Sequence, residues 1–472
     1  MGLIAELEAM LSSDRVLSGA LERHVYSKDA GLRSGTGSVV VFPEKTAEVA
    51  SCVRLARSHG VPVVARGAGT GLAGGAVPLG ESLLIVLTRM DKIEPVDVVG
   101  NTVWVGPGVI NLDLSRHTKA WGLHFAPDPS SQAACTIGGN VANNSGGPHC
   151  LADGTTVNHV LGVELVTASG EVIVIGGEAP DPPGLDLRAV VVGSEGTLGI
   201  VTRVLVKLTP DPPSVRTLVA AFDRIPEAAA TVSDTIAAGI VPAALEMMDR
   251  PMIHAVERFV GAGFPTDAEA VLIAEVTGHE AGVVVEASAI REIAKGNGAT
   301  EVRVAQDEDE RELIWKARKS AFGAVAQMAP DYYLHDTVVP RHKLVEVLNA
   351  IYGIAEDHQL KMMNVFHAGD GNLHPLMAFD AEEDGVLERV QSAADAIAQV
   401  SVEAGGVLSG EHGIGLEKRD LMPMIFSDAD LDAQAAIREA FDPDCLLNPG
   451  KILPEGSRCF DFGRPVPEGA WV

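Results

Sequence analysis

Two histidines lie close together in a segment whose sequence predicts a tight β-hairpin. Residues 369–372, Gly-Asp-Gly-Asn, form a strong turn sequence with apolar residues on both sides. If these four residues are the loop, Ala368 faces Leu373 and His367 faces His374. Directly opposed residues share one face of a sheet, with Cβ atoms roughly 5 Å apart. Two imidazoles at that spacing suit one metal ion, and two hairpin histidines that bind nothing are the alternative.

A carboxylate and a third histidine follow later in the chain. Glu411 and His412 lie between glycines in residues 409–415, Ser-Gly-Glu-His-Gly-Ile-Gly. Two imidazoles and one carboxylate form a donor set that suits zinc, and iron or manganese are compatible with it. The sequence therefore indicates a metal site built from two separate segments.

The fifty glycines exceed the usual share of ~7%, and the densest group is RGAGTGLAGG at residues 66–75. It follows a predicted strand at 61–65, and residues 69–74 satisfy G-x-G-x-x-G. A Rossmann fingerprint requires a helix to begin within the motif, whereas a proline, another glycine and a strand follow here. Successive backbone N–H groups can bind an anion without a helix, and Arg66 could add its charge. We expect a phosphate-binding loop, with a merely flexible loop as the alternative.

Two further segments combine glycines with small polar residues. They are PDPSSQAACTIGGNVANNSGG at 127–147 and GSEGTLGI at 193–200. Amides, hydroxyls and glycines together allow hydrogen bonding at close range to a large polar cofactor. Each segment alone is a weak signal, but three of them between residues 66 and 200 favour one extended ligand.

Short β-branched strands and amphipathic helices surround these segments. A helix at 46–59 separates strands at 39–42 and 61–65, which indicates a mixed α/β unit. Residues 160–166 and 171–175 predict a β-hairpin. Three prolines in residues 209–214 mark a domain boundary, and helices at 227–238, 281–295, 309–327 and 386–404 follow it.

The charge excludes two classes of partner. The chain has 64 acidic and 36 basic residues, a formal net charge of −28, which repels nucleic-acid phosphates and anionic lipid surfaces. Its first residues lack the basic start and apolar run of a secretory signal. No apolar run approaches the ~20 residues needed to span a bilayer. We expect a soluble cytoplasmic protein.

In their order along the chain, the three glycine segments resemble the FAD-binding half of the vanillyl-alcohol oxidase superfamily. The histidine motifs are similar to those of its D-lactate dehydrogenases, D-2-hydroxyglutarate dehydrogenases and glycolate oxidase flavin subunits. The resemblance runs from about residue 39 to 454. It implies a two-domain α+β fold with an FAD-binding domain at 1–212. A substrate (cap) domain with an antiparallel sheet and the metal site follows at 213–425, and a C-terminal segment, 426–472, returns to the FAD domain.

The resemblance also implies the FAD contacts. Carried over motif by motif, they are Arg66, Gly67, Ala68, Gly69, Thr70, Gly71, Pro127, Ser130, Thr136, Gly138, Gly139, Asn143, Ser145, Glu195, Gly196, Ile200 and Asn448. Relatives that attach the flavin covalently have a histidine in the first loop, where this chain has Gly-Thr-Gly. The implied FAD is therefore non-covalent.

By the same resemblance, His367, His374 and Glu411 are ligands of a divalent metal, and His412 is the catalytic base. Arg318 matches the arginine that binds the substrate carboxylate, although a basic turn on the protein surface is the alternative. A metal on the substrate hydroxyl lowers the pKa of that group. A histidine, with a pKa of ~6.5, is suited to take the proton.

The implied reaction is oxidation of a D-2-hydroxy acid to the 2-oxo acid, with hydride transfer to flavin N5. The electrons would pass to a quinone, an electron-transfer flavoprotein or an iron–sulfur partner subunit, and a homodimer is left open. Relatives specific for 2-hydroxyglutarate have an asparagine where this chain has Leu376, and a lysine before the aromatic–Asp pair where it has Tyr332-Tyr333-Leu334-His335-Asp336. D-lactate or glycolate is favoured, with D-2-hydroxyglutarate oxidation, a non-redox flavin-fold transferase or a non-catalytic FAD subunit as alternatives.

Overall fold

A computed structural model describes residues 2–37, 39–179 and 184–455. They divide into two compact units. The first unit has the bounds Met1–Gly146, Thr155–Asp211 and Glu411–Val472, and the second has the bounds Gly147–Gly154 and Pro212–Gly410.

Two of these boundaries differ from the domains expected from the sequence. The second unit ends at Gly410 and not at residue 425, because the chain after it pairs within the first unit, where the Leu416 N–H donates to the Ala73 carbonyl at 2.7 Å. The second unit also includes Gly147–Gly154, because Leu151 in this segment packs beside Gly369. The segment begins at Gly147, the last residue of the second glycine-rich segment.

The strands and helices follow one another along the whole described chain. The strands are β1 (Val16–Leu17), β2 (Val39–Val41), β3 (Val63–Arg66), β4 (Leu83–Val86), β5 (Thr102–Val105), β6 (Leu123–His124), β7 (Val160–Val166), β8 (Val172–Gly176), β9 (Ile200–Lys207), β10 (Thr209–Pro210), β11 (Ser214–Phe222), β12 (Ala244–Asp249), β13 (Ala270–Gly278), β14 (Glu301–Val304), β15 (Asp331–Leu334), β16 (Thr337–Val338), β17 (Lys361–His367), β18 (Asn372–Leu373) and β19 (Pro375–Phe379). The helices are α1 (Leu3–Leu11), α2 (Ala20–Val25), α3 (Thr46–Ser58), α4 (Asn111–Thr118), α5 (Ile137–Asn143), α6 (Cys150–Asp153), α7 (Leu187–Val191), α8 (Ile225–Ala237), α9 (Arg250–Phe259), α10 (Glu280–Gly296), α11 (Glu308–Lys319), α12 (Ala321–Val325), α13 (Leu344–Asp357), α14 (Val386–Glu403) and α15 (Asp428–Phe441).

The first unit contains two four-stranded sheets. One has the order β1-β2-β4-β3, in which β2, β4 and β3 run parallel and bury apolar residues on both faces. Parallel strands are expected to be apolar, and these are apolar except for Arg66, the last residue of β3. The other sheet has the order β5-β9-β7-β8 and is antiparallel. Its β7–β8 hairpin confirms the hairpin predicted for this part of the sequence.

The glycine-rich loop at 67–75 follows β3 directly, as the sequence predicts. The chain then reaches β4 without forming an α-helix. A Rossmann turn would place a helix N-terminus at the phosphates. The exclusion of a Rossmann fingerprint from the sequence is therefore confirmed.

The second unit is built on one antiparallel sheet, confirming the predicted sheet type. Its order is β14-β11-β13-β12-β17-β18-β16, and β19 pairs with both β17 and β15. Helices α8, α10, α13 and α14 pack on one face and form the main apolar core with it.

The opposite face of this sheet carries charged and imidazole side chains. Leu245 and Met247 of β12 enter the core, so Glu246 between them lies on the opposite face. By the same alternation Glu275 of β13 and His367 of β17 lie there too. Helix α11 contacts Glu246 through Arg318 and Glu275 through Arg311, so basic side chains of this helix pair with the acidic groups of the sheet face.

Within the described residues, no helix combines the length and the apolar composition that crossing a membrane would require.

Candidate active site

His367 and His374 come together in the second unit, but the predicted hairpin register is wrong. His367 pairs with Asn372, and Asn364 with Pro375, so the four-residue turn is 368–371. His374 is therefore diagonal to His367 and not opposite to it. A shift of two residues keeps both side chains on one face, because side chains alternate with a period of two. The ring centroids are 5.0 Å apart, and a nitrogen of one ring lies within 4.8 Å of a nitrogen of the other.

Glu246 holds the ring of His367. Its Oε1 lies 2.7 Å from Nδ1 of His367, and the carboxylate is fully buried. A neutral histidine that donates through Nδ1 carries its lone pair on Nε2, which is the nitrogen a metal would use. This arrangement suits a metal ligand with a carboxylate behind it.

Arg318 lies on the same side of the sheet and is 1% exposed, so its interpretation as part of a surface basic turn is wrong. Its Nη2 is 2.5 Å from Oε2 of Glu246. This contact is an ion pair, and none of the nitrogens Nε, Nη1 and Nη2 makes a hydrogen bond among the described residues. A buried guanidinium with unused donors suits a carboxylate ligand, because its planar fork can bind two oxygens at once.

Asp336 fixes the end of the second unit. Its carboxylate accepts hydrogen bonds from the hydroxyl of Ser409 at 2.5 Å and from the N–H of Gly410 at 3.0 Å. Oδ1 of Asp336 also lies 3.9 Å from Nδ1 of His374. The chain continues from Gly410 directly into Glu411, the first residue of the last segment of the first unit.

In the first unit, the phosphate-binding loop predicted at 67–75 is stiffened by Arg66 and Asp29. The guanidinium of Arg66 stacks over the ring of Tyr26 and against Gly69, where a Cβ would lie 2.0 Å from Nη2. Gly69 has φ +75°, a backbone conformation that favours glycine, and a side chain there would displace the guanidinium of Arg66. Asp29 accepts hydrogen bonds from the N–H groups of Gly31 and Gly74, each at 2.9 Å. Burial raises the pKa of Asp29 and lowers that of Arg66.

The second predicted FAD segment begins helix α5 against this loop. Thr136 caps the helix by accepting a hydrogen bond from the Gly139 N–H at 3.2 Å. A Cβ at Gly67 would lie 2.3 Å from the Thr136 hydroxyl, so the backbone of the first loop packs directly against the side chain that caps helix α5. The predicted contacts around Gly67 and Thr136 are thus neighbours, and helix N-terminal N–H groups suit a phosphate.

Glu195 and Asn143 hold the segment that contains His412. Oε1 of Glu195 accepts hydrogen bonds from the N–H groups of Ile414 at 2.7 Å and Gly415 at 3.1 Å. The side-chain amide of Asn143 donates to the His412 carbonyl at 2.6 Å. Burial raises the pKa of Glu195 to about 7, against the two backbone hydrogen bonds that lower it.

Asn448 joins two of the glycine-rich segments. Its side-chain amide donates to the carbonyls of Gly75 at 2.8 Å and Glu195 at 2.7 Å, and its Oδ1 accepts from Nζ of Lys451. Burial lowers the pKa of Lys451 to about 7. Because both amide hydrogens are committed to backbone carbonyls, Asn448 acts as a clamp between loops, and its direct contact with FAD stays a prediction.

The other predicted FAD contacts all lie in the first unit. Ile200 is buried in the apolar core at the start of β9 and Gly196 has φ +73°, whereas Ser145 binds Thr156 through its carbonyl. Their contacts with FAD stay predictions. Contacts with FAD also stay predictions for six further residues of the first unit, Ala68, Thr70, Gly71, Pro127, Ser130 and Gly138.

Two buried glutamates of the second unit, Glu246 and Glu275, were not predicted as site residues. Glu246 lies within the apolar part of β12, Ala-Leu-Glu-Met-Met, and Glu275 follows five apolar residues in β13. A carboxylate is rarely fully buried unless it is paired. A glutamate within an apolar strand therefore indicates that Glu246 and Glu275 each pair with a cation or a hydrogen-bond donor, but the sequence does not identify that partner.

Models of two protein families match the chain. The "FAD binding domain" model matches residues 37–176, and the model "FAD linked oxidases, C-terminal domain" matches residues 211–452. The second model covers half of the chain and includes the residues of the histidine hairpin, Glu411 and Arg318.

Curated proteins and solved structures agree with the family models. "Glycolate oxidase subunit GlcD" of Escherichia coli K12 is 47% identical over 425 residues, which are 90% of this chain and 85% of the relative. "D-lactate dehydrogenase" of Anaerostipes hadrus is 33% identical over 88% of this chain and 89% of its own length. The structure of p-cresol methylhydroxylase with substrate bound aligns with a TM-score of 0.82 at 16% identity, covering 96% of each chain, and shows the shared fold. The chain belongs to the FAD-linked oxidases, with the two-domain vanillyl-alcohol-oxidase-type fold, and is a flavoprotein oxidoreductase.

Proposed function

We propose that the chain oxidises a D-2-hydroxy acid with a short or apolar tail, such as D-lactate, or the achiral 2-hydroxy acid glycolate, to the 2-oxo acid. The observation that carries the proposal is the buried Arg318 beside Glu246, which in turn holds His367. This set offers a carboxylate-binding fork next to an imidazole suited to a metal. The names of the relatives, a glycolate oxidase subunit and a D-lactate dehydrogenase, agree with such a substrate.

FAD would be held non-covalently by the glycine-rich loops of the first unit. Bound FAD supplies the hydride acceptor, its N5 atom. The N–H groups after Arg66 and at the start of α5 would bind the phosphates, and the guanidinium of Arg66 would add charge. Its Nη1 is buried without a hydrogen-bond partner among the described residues, which suits an anionic ligand.

A divalent metal, most simply zinc, with iron or manganese as alternatives, would be held by His367, His374 and Glu411. The two imidazoles lie on one sheet face, and Glu411 follows a residue whose N–H is fixed by Asp336. Such an ion supplies a positive charge that lowers the pKa of the substrate hydroxyl. His412 would take the hydroxyl proton, because a neutral imidazole is a base near neutral pH.

Leu376 favours a substrate without a second carboxylate. It is fully buried in β19, opposite Leu334, and it lies two residues after His374, the residue directly before this strand, so alternation places both side chains on one face. A second carboxylate placed there would lose its hydration without gaining a hydrogen bond, which is costly.

The electrons would leave FAD to a quinone, an electron-transfer flavoprotein or an iron–sulfur partner subunit, and the relative named as a subunit agrees with a partner. A homodimer and a cytoplasmic location stay predictions.

Anaerobic reduction of the bound flavin by a panel of D- and L-hydroxy acids tests the proposed function. We expect rapid bleaching by D-lactate or glycolate and slow bleaching by D-2-hydroxyglutarate and L-lactate. A preference for D-2-hydroxyglutarate would contradict the proposed substrate. An absence of bleaching by any hydroxy acid would contradict the reaction itself and would favour a non-redox transferase.

A further inference from the structure

We propose that Glu246 is a positioning residue that holds both the metal ligand His367 and the substrate-binding Arg318, so that metal binding and anion binding depend on one carboxylate. The inference rests on the proposed function, because it takes the roles of His367 and Arg318 from there. It adds a residue that neither the motifs nor the relatives' names assign.

The geometry gives each oxygen of Glu246 its own partner. Oε1 accepts the Nδ1 hydrogen of His367 at 2.7 Å, and Oε2 lies 2.5 Å from Nη2 of Arg318. All three side chains are nearly or fully buried, so water does not replace a lost partner. The fold brings them together from β12, α11 and β17, which are far apart in the sequence.

The first consequence concerns the tautomer of His367. With its proton on Nδ1 toward Glu246, His367 presents the lone pair of Nε2. A carboxylate behind a histidine ligand also fixes the ring orientation and raises its basicity. Glu246 therefore prepares His367 to bind a metal before the metal arrives.

The second consequence concerns Arg318. A buried guanidinium is costly unless it is paired, and Glu246 is the carboxylate that pairs with it. The contact is an ion pair through Nη2, and none of the three guanidinium nitrogens makes a hydrogen bond among the described residues. Glu246 thus holds the arginine through one nitrogen, and the others can bind a substrate carboxylate.

Replacement by glutamine separates this role from a general structural one. Two donors face Glu246, and they need two acceptor atoms. A glutamine has one oxygen and one NH₂ group, so one of the two donors must face another donor. If the NH₂ group faces His367, the imidazole proton moves to Nε2, and if it faces Arg318, the arginine loses its partner.

Glu275→Gln is the matched control. Glu275 is a second buried glutamate on the same sheet face, in the strand beside β12, and it also pairs with an arginine of α11. Its carboxylate accepts hydrogen bonds from Arg311, Trp315 and Thr217 but from neither His367 nor Arg318 among the bonds described. E275Q therefore removes a buried, paired carboxylate as E246Q does, but it leaves the contacts with His367 and Arg318 intact.

The experiment measures two binding constants on the flavin-loaded protein after removal of metal with EDTA. Zn²⁺ affinity is obtained by competition with a chromophoric chelator. Anion affinity is obtained by titrating oxalate, which has no C–H hydride to transfer, and following the flavin absorbance. We expect E246Q to weaken at least one constant by about 10- to 100-fold, as loss of an outer partner of a metal ligand does. We expect E275Q to leave both within about twofold of the wild type.

The outcomes distinguish this inference from the proposed function. Wild-type protein that takes up no Zn²⁺ and shows no response to oxalate would overturn both. If the wild type binds Zn²⁺ and oxalate and E246Q binds both with unchanged affinity, only the role of Glu246 is overturned. Equal losses of affinity in E246Q and E275Q would overturn it as well. If E246Q does not fold, Glu246→Asp replaces it: the shorter carboxylate cannot reach both donors, so two unchanged constants in E246D would again contradict the inference.

Discussion

The side-chain amide of Asn143 donates a hydrogen bond to the backbone carbonyl of His412 at 2.6 Å. The two residues are 269 positions apart in the sequence, and we assign one to the cofactor and the other to proton transfer. Glu195 holds the N–H groups that follow His412 in the same way. The backbone of the proposed base is therefore fixed by side chains from two of the glycine-rich segments.

Asn143→Ala should slow flavin reduction more than it weakens FAD binding. Loss of the hydrogen bond frees the His412 backbone, and a displacement of about 1 Å can cost about 10²-fold in rate. Stopped-flow bleaching with D-lactate measures the rate, and flavin fluorescence measures release of FAD. Asn144→Gly is the control, because Asn144 binds Val157 and its left-handed conformation is one that glycine adopts. Similar rates in both variants would contradict the proposed role of Asn143.

Glu195 should make stability depend on pH near neutrality. Burial raises its folded-state pKa from 4.5 to about 7, so the unfolded chain ionises first as the pH rises. Protonated Glu195 makes its full contribution to the free energy of unfolding below pH 4.5, and this contribution is lost as the pH rises through about 7. At 1.36 kcal/mol per unit the loss is about 3 kcal/mol.

Urea unfolding of wild type and Glu195→Gln between pH 4.5 and 8.5 checks this. Glutamine cannot ionise, so the free energy of unfolding of the wild type should fall relative to that of E195Q by about this amount. A difference that stays constant over this range would show that the carboxyl does not titrate there.

His367→Ala should release the metal and leave FAD bound, because the two groups have separate ligands in our assignment. We expect FAD at wild-type stoichiometry, metal content near zero by elemental analysis, and loss of substrate-driven flavin reduction. The exposed histidine in His279→Ala serves as the control and should change none of these. Wild-type metal content in H367A would end the metal assignment.

The sequence predicts individual strands, helices and turns better than it predicts which distant residues their side chains contact. The β7–β8 hairpin, the loop after β3 and helix α11 follow from turn residues, glycine context and apolar periodicity, which act over a few residues. The register of the histidine hairpin was wrong by two residues, because Gly-Asp-Gly-Asn does not fix which residue begins the turn. Glu246 could not be assigned at all, since its two partners come from strands and helices more than 70 residues away (Glu246 to Arg318 and His367).

Arg318→Lys should raise the KM for D-lactate by about tenfold or more with a smaller effect on kcat. Lysine keeps the charge but not the planar fork, so it cannot hold two carboxylate oxygens in the same way. Lys316→Ala is the matched control on the same helix, because Lys316 is exposed and Arg318 is buried. Steady-state kinetics give the KM for D-lactate of both variants, and only R318K should differ from the wild type. An unchanged KM in R318K would contradict the role of Arg318 in substrate binding.

Leu376→Asn should shift the preference among hydroxy acids toward D-2-hydroxyglutarate. The side chain lies on the same strand face as His374 and is fully buried, so an amide there offers hydrogen bonds to a second carboxylate. Without that ligand the buried amide is left unsatisfied, which costs about 1–3 kcal/mol, so D-lactate should not gain from the change. The ratio of kcat/KM for D-2-hydroxyglutarate to that for D-lactate should rise about tenfold or more. Met377→Asn, at the next residue of β19, is the control for a buried amide in this strand, because the fully buried side chain of Met377 enters the apolar core on the opposite face. An equal rise in that variant would show that the tail of the substrate does not meet residue 376.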